Sequence, residues 1–330
     1  NMKAIKTLAM AALATAVFAS CSSEDELAQN NYPMDNVVRI MTSVDGMNTR
    51  ASYGNSTDKL NSFGFCIKNA NSETYTYDNV KVTKEGSNWN PATQMLWQNS
   101  TTAVDILAYA PYQETTEDAN GKVNVFGKTD YAFSVKEDQS NAEDYSSDLI
   151  VYKKTGFKPE SDLNTNQAVD VTFTHLLSQL NLTIELRDQF NQDEKKPVTS
   201  ATVTDVKVDG TFIRSKVNFA ADPISVLRDG HASTAITPET VAFKKADKTT
   251  DHATFKYSAI VIPQKVIVGQ LCIKFKVDGT DYIWTGTSDV EFVSGKKYDL
   301  LLLVGKDVVQ GGTISATPWG DGGTGSLETD

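Results

Sequence analysis

Apolar and polar residues alternate with a period of two along most of this chain. Leu271, Ile273, Phe275 and Val277 alternate with Cys272, Lys274 and Lys276. Asp278-Gly279 follows, and then Tyr282-Ile283-Trp284. That order predicts a strand, a tight turn and a returning strand, because Asp-Gly tolerates the left-handed backbone a two-residue hairpin requires. Residues 203–208, Asp209-Gly210 and residues 212–219 repeat the pattern and predict a second hairpin. Further strands are predicted at 37–42, 63–68, 104–110, 169–185, 258–262 and 298–304. Clusters of Gly, Asn, Asp and Pro separate them. Helical periodicity is nearly absent after residue 21. Short strands at this spacing predict an all-β protein of antiparallel sandwiches and exclude a βαβ fold.

Two polar stretches interrupt the pattern. Residues 137–148 are acidic and Ser-rich, and residues 156–167 lack any apolar period. The domain boundary is expected in the second, near residue 165. Residues 51–165 then form an N-terminal sandwich and 166–330 a C-terminal one, opened by the strand from Val169. Residues 43–56 are polar, with Gly46 and Gly54, and read as an exposed loop.

The N-terminus has a different character. Lys3 and Lys6 precede an apolar run from Leu8 to Phe18, then Ala19, Ser20 and Cys21. A basic start, a short apolar core and small residues before a cut make a secretory signal peptide over 1–21. The run is too short to span a bilayer, which takes about 20 apolar residues. Cys21 at the cut resembles a bacterial lipobox, so lipidation is expected there. Ser22-Ser23-Glu24-Asp25-Glu26 follows it. The net charge of −11 argues against nucleic acid, whose phosphates need clustered cations. Cys66 and Cys272 each sit in an apolar alternating segment, and both are read as buried thiols rather than a disulfide.

Candidate chemistry is sparse. His175, His231 and His252 stand at no metal-ligand spacing, and His175 lies in an apolar strand where a hydrogen-bonded structural role is expected. No His-Glu-x-x-His, Cys-x-x-Cys or Gly-x-Ser-x-Gly occurs. The acids Glu137, Asp138, Glu143, Asp144 and Asp148 do not follow a calcium-loop spacing and read as a solvated loop. Trp89, Trp97, Trp284 and Trp319 are too dispersed for a sugar-stacking row and read as core or interface. No catalytic, cofactor or metal site is assigned.

Several segments together resemble the fimbrillin family, the lipoprotein-precursor pilins of Bacteroides-type bacteria. Phe173-Thr174-His175-Leu176-Leu177-Ser178-Gln179-Leu180 is similar to the family's Phe-x-His-x-x-Ser-x-Leu strand. Ile262-Pro263-Gln264 resembles its Pro-Gln turn. Phe292, Gly295-Lys296 and Tyr298 resemble its Phe-x-x-Gly-Lys-x-Tyr lead into a late strand. Trp97 with Leu107-Ala108-Tyr109-Ala110-Pro111-Tyr112 resembles its Trp-to-Ala-Tyr-x-Pro segment, and residues 314–319 its closing strand. The resemblance implies two transthyretin-like β-sandwich domains in tandem and a structural rather than enzymatic role at the cell surface. It implies a precursor held in the outer membrane by its lipid. It implies cleavage by an arginine-specific protease and polymerisation by donor-strand exchange with other fimbrial subunits, including anchor and tip proteins. The acidic stretch after Cys21 resembles the family's surface-export signal.

The residues themselves fit that scheme. Val37, Val38 and Ile40 form a short apolar strand ahead of the polar loop that holds Thr49-Arg50-Ala51. Loops of small polar residues are preferred nicking sites. A cut between Arg50 and Ala51 would sever residues 22–50, with this strand, from the rest. Arg39 lies inside the predicted strand and should be protected. In the tail, Val309, Ile314, Ala316 and Trp319 alternate loosely over 308–319 and read either as a final edge strand or as a donor strand. Gly311-Gly312 is the expected hinge. The alternatives are an uncut membrane anchor, a tip adhesin, or a monomeric glycan-binding lipoprotein marked by an exposed row of aromatics.

Overall fold

A computed structural model describes residues 31–44, 53, 56–115, 123–191, 195–230, 233–247, 251–312 and 314–319. The signal peptide, Cys21, Arg50, Ala51 and His231 lie outside the described residues. Strands β1 (Arg39–Val44), β2 (Ser62–Lys68), β3 (Tyr77–Glu85), β4 (Asn88–Pro91) and β5 (Val104–Ala110) come first. Next are β6 (Tyr131–Ser134), β7 (Ile150–Phe157), β8 (Ala168–His175) and β9 (Ser178–Leu186). Then follow β10 (Val203–Asp209), β11 (Arg214–Asn218), β12 (Ser225–Arg228), β13 (Glu239–Lys244), β14 (Ala253–Val261) and β15 (Gln264–Val266). The series ends with β16 (Cys272–Val277), β17 (Thr280–Thr285), β18 (Val290–Phe292), β19 (Lys296–Val304), β20 (Val309–Gly311) and β21 (Ser315–Pro318). Among the described residues, helix is limited to a 3-10 turn at Glu73–Tyr75 and two four-residue helices, α1 (Pro159–Asp162) and α2 (Asp188–Asn191). The protein is all-β.

Two sheets dominate. One has the order β1-β8-β7-β5-β2-β3-β4, and the other β13-β14-β9-β19-β20 with β21 also on β19. Smaller sheets, β10-β16-β17 and β12-β11-β6, accompany them. The seven-stranded sheet buries both faces, which is why β2 and β5 read as nearly continuous apolar runs. Phe63, Phe65, Ile106 and Ala108 enter one hydrophobic cluster, while Cys66, Leu107 and Tyr109 point the other way into a second. Leu182, Phe255, Ile273, Phe275 and Leu300 belong to that second cluster, so side chains of the β14-β9-β19 and β10-β16-β17 sheets share one core.

The Asp278-Gly279 hairpin forms as expected. Asp278 and Gly279 have φ of 51° and 82°, and Val277 pairs with Thr280. The second expected hairpin does not form. β10 pairs with β16, whereas β11 pairs with β6 and β12. At Gly210, φ is 91° and an ideal Cβ would lie 1.9 Å from the Gln270 carbonyl oxygen. The glycine therefore serves a close approach that lets the chain leave one sheet for another.

The long strand expected over 169–185 is two strands in two sheets. Val169, Val171 and Phe173 face one cluster on odd positions, and Leu180, Leu182 and Ile184 face the other on even positions. The phase reverses at Leu176–Leu177, because each half must face a different core. β8 therefore completes the first sheet instead of opening a second domain. The expected boundary near 165 does not match the sheet partition, since the seven-stranded sheet takes strands from both sides of it. Nor is pairing wholly antiparallel, as β1 with β8 and β9 with β19 run parallel. Both parallel pairs join segments whose connection passes through other strands.

Two glycine substitutions test this reading of the turns. Gly279→Ala meets nothing within 4 Å and should cost only the left-handed strain of about 1–2 kcal/mol. Gly210→Ala adds a backbone clash and should cost clearly more, on the order of 3 kcal/mol. Urea denaturation of both variants checks the ranking, and equal losses would refute it.

Candidate functional site

The strand expected over 37–42 forms at Arg39–Val44, which includes Ile40 but leaves Val37 and Val38 just ahead of it, and it lies at one end of the seven-stranded sheet. Six residues of β1, from Arg39 to Val44, pair in register with Ala168 to Phe173 of β8. The segment just before it is gripped from the opposite side. Val37 bridges Leu96, Val38 N–H donates to the Met95 carbonyl at 3.0 Å, and Trp97 N–H donates to the Asn36 carbonyl at 2.8 Å. Val38, Ile40 and Val44 are buried in the first cluster, and Val37 is half-buried. Full burial of such side chains contributes about 1.5–3 kcal/mol each. The free edges of β1 and β4 flank a cleft of about 1080 Å³, whose lining includes Arg39, Lys84, Trp89 and Gln94.

Arg39 is held at both levels. Its backbone lies in the ladder opposite Ala168, and its guanidinium donates two hydrogen bonds to Asp35, Nη1 to Oδ1 at 3.0 Å and Nη2 to Oδ2 at 2.6 Å. Those bonds hold the Asp35 carboxyl below its usual range.

The tail also has a seat. β20 pairs Val309 with Val304 and Gly311 with Leu302, and β21 pairs Ser315 with Asp299 and Pro318 with Lys296. Val309 and Ile314 pack half-buried against the second cluster, Trp319 is buried, and Ala316 is exposed. As described, the tail is an edge strand of its own sheet. Gly311 is not the expected hinge. It is an extended strand residue on which the buried Trp284 indole lies, and an ideal Cβ there would sit 2.0 Å from Trp284 Nε1. Glycine is required by the contact, which ties β20 to β17.

Trp319 stacks on the His175 ring with coplanar rings and centroids 4.0 Å apart. His175 Nδ1 lies 2.9 Å from Asp148 Oδ1, and both side chains are inaccessible to solvent. The expected hydrogen-bonded role for His175 therefore has a partner that sequence reading missed. Asp148, expected in a solvated acidic loop, is the buried end of that segment. The flanking Leu149, Ile150 and Val151 were the available signal. Other family-like residues gather at the same crossing. Ser178 Oγ donates to the Val293 carbonyl at 2.8 Å, and Tyr298 hydroxyl donates to the Glu291 carbonyl at 2.5 Å.

His252 bridges Glu185 and Asp188 at 2.9 Å from each. Among the described residues no three His, Cys, Asp or Glu side chains converge as a metal site would require. Cys66 is buried, with its thiol pushed well up by burial, whereas Cys272 is half-exposed on the outer face of β16 rather than buried as expected. Trp97, Trp284 and Trp319 are buried and Trp89 half-buried, so the four tryptophans make no exposed row.

The fimbrillin-like family model matches residues 49–319. The chain belongs to the fimbrillin-like family. No curated protein sequence is detectably similar to it. Among solved structures, this fimbrillin-like chain resembles a candidate cell adhesion protein of Bacteroides uniformis, with a TM-score of 0.56 and 20% identity. That likeness covers 87% of this chain and 99% of the other. A candidate cell adhesion protein of Bacteroides ovatus gives 0.56 at 12% identity, covering 86% and 97%. A fimbrial protein of Bacteroides vulgatus gives 0.50 at 17% identity, covering 86% and 99%. These likenesses show a shared fold. Membership of the fimbrillin-like family implies a fimbrial protein at the cell surface.

Gly311→Ala tests the tail's seat in this fimbrillin-like chain. The added methyl cannot coexist with the buried indole, so it should destabilise β20 by about 1–3 kcal/mol. Limited proteolysis should then cut within 305–319 several-fold faster while cleavage near β1 is unchanged. An equally protected tail would show that the Trp284 contact does not hold it.

Proposed function

We propose that this protein is a structural subunit of a cell-surface fimbria that polymerises by strand exchange. It is made as a lipoprotein on Cys21 and held in the outer membrane until an arginine-specific protease cuts after Arg50. Its partners are further copies of the same chain, together with anchor and tip subunits. On this reading its two halves are tandem transthyretin-like sandwiches, with β8 counted in the first.

The observation that carries the reading is the position of β1. It is a well-seated strand, with Ile40 and Val44 buried, that precedes Arg50 in the sequence, so a cut after Arg50 would separate it from everything that follows. The family match supports the same division, since it begins at residue 49 and leaves β1 outside. Once cut, β1 is held by pairing and packing alone. Its loss would leave the β8 edge from Ala168 to Phe173 unpaired and the seats of Val38 and Ile40 empty. An open edge beside an apolar slot is a template for strand addition. The donor is the tail, with Val309, Ile314, Ala316 and Trp319 as its alternating residues. It is an edge strand, so it can leave without breaking the centre of its sheet. Arg39 resists the protease because its backbone is in the ladder.

Limiting trypsin on the chain without residues 1–20 tests the proposal. A new N-terminus at Ala51 and SDS-resistant ladders are expected, and deletion of residues 308–330 should leave monomers. A cut at Ala51 that yields only monomers would refute polymerisation, and the absence of any cut near Arg50 would mark an anchor. Assembly that survives the deletion would exclude the tail as donor.

A further inference from the structure

The His175–Asp148 pair does more than fill a junction. Asp148 has two carboxylate oxygens, and they serve opposite ends of the chain. Oδ1 faces His175 Nδ1 at 2.9 Å, and Oδ2 accepts the Tyr53 backbone N–H at 2.9 Å. Tyr53 is buried in the first cluster, with its ring 5.5 Å from that of Tyr145. On the far side, the His175 ring is the floor on which Trp319 stacks. Trp319 N–H donates to the Gly295 carbonyl at 2.8 Å, and Gly295 N–H donates to the Leu177 carbonyl at 2.8 Å. Trp319, the tail's last described residue, and the backbone of Tyr53, three residues after Arg50, thus meet on one buried His175–Asp148 pair.

We propose that the His175–Asp148 pair is a latch that keeps the C-terminal strand in its own sheet, and that it couples this strand's seating to the seating of Tyr53. The physical reason is the cost of a buried, unpartnered polar group. A carboxylate at zero exposure needs each of its hydrogen bonds, so losing the Tyr53 donor makes Asp148 lean harder on His175 or reorient. Either response moves the ring under Trp319. Conversely, when Trp319 leaves, water reaches the imidazole and weakens its hold on Asp148, which loosens Tyr53. The coupling is reciprocal because both ends bias one element. Trp319 is also seated imperfectly. Its buried indole N–H has no acceptor among the described residues, so the ring is held by stacking and shape alone. Such a seat suits a strand that must later depart. The role of the latch in assembly rests on the strand-exchange reading, whereas the coupling is a property of the uncut monomer.

Site-resolved hydrogen exchange on the uncut monomer tests the coupling without any assembly step. Trp319→Ala should accelerate exchange about tenfold across 314–317, and also at the Tyr53 amide at the other end of the chain. Trp319→Phe keeps a stacking ring and should restore both. Asp148→Asn keeps the size and removes the charge, and should loosen both ends together. Amides of β13 and β14 should stay within about twofold of the unmutated chain, as a control for global stability. Acceleration confined to 314–317 would overturn the coupling, and no acceleration there would overturn the latch. If Asp148→Asn does not fold, the two Trp319 variants decide alone. A monomer that shows the coupling yet never forms ladders would sink the strand-exchange reading and leave the latch standing.

Discussion

A strand at the edge of a sheet carries a row of backbone donors and acceptors that must be paired, shielded or bent away. Strands are the dominant regular structure of this protein, and its first and last described strands help to meet that constraint. β1 covers the outer edge of β8, while β20 and β21 cover that of β19. Each of these strands is seated by buried side chains. Val38 and Ile40 seat the first, and Trp319 and the Trp284–Gly311 contact seat the second. The strands most easily removed are therefore the ones whose removal leaves the largest unmet demand for a partner.

That demand gives a mechanical logic for a fimbrial subunit. With β1 in place, the β8 edge from Ala168 to Phe173 is paired and closed to a neighbour. Taking away one edge strand creates an acceptor, and an edge strand of a neighbour is chemically equivalent to the one lost, because main-chain hydrogen bonds do not depend on sequence. Alternating side chains then set register. The His175–Asp148 junction lies where the two sheets cross, so it is placed to hear from both ends. Its components are a coplanar His175–Trp319 stack and a buried Asp148 side chain bonded through both oxygens.

Some of this was legible in advance because it is written in local pattern. Alternation identified the strands from Phe63, Val104, Leu271 and Tyr298, since a pleated strand with one buried face has no other way to read. Asp278-Gly279 announced its hairpin because a tight turn has its own backbone chemistry. The same dipeptide at Asp209-Gly210 misled, since there the glycine answers a crowding contact from Gln270, a residue remote in sequence. The split of 169–185 was readable in principle from the switch of apolar residues from odd to even positions. Alternation continues on both sides of the adjacent Leu176-Leu177, which hid the change of phase.

The sequence by itself determined the strand-rich class and the family, and it placed an apolar strand ahead of Thr49-Arg50-Ala51. These follow from residue type and short spacing. Only the tertiary structure decided which edges the chain ends occupy, that β8 belongs with β1, and that Asp148 is buried against His175 and Tyr53. Pairing partners and burial depend on which distant segments meet, and no local pattern encodes that. A carboxylate in an acidic, Ser-rich stretch looks solvated until the fold brings an imidazole and a backbone amide to its two oxygens.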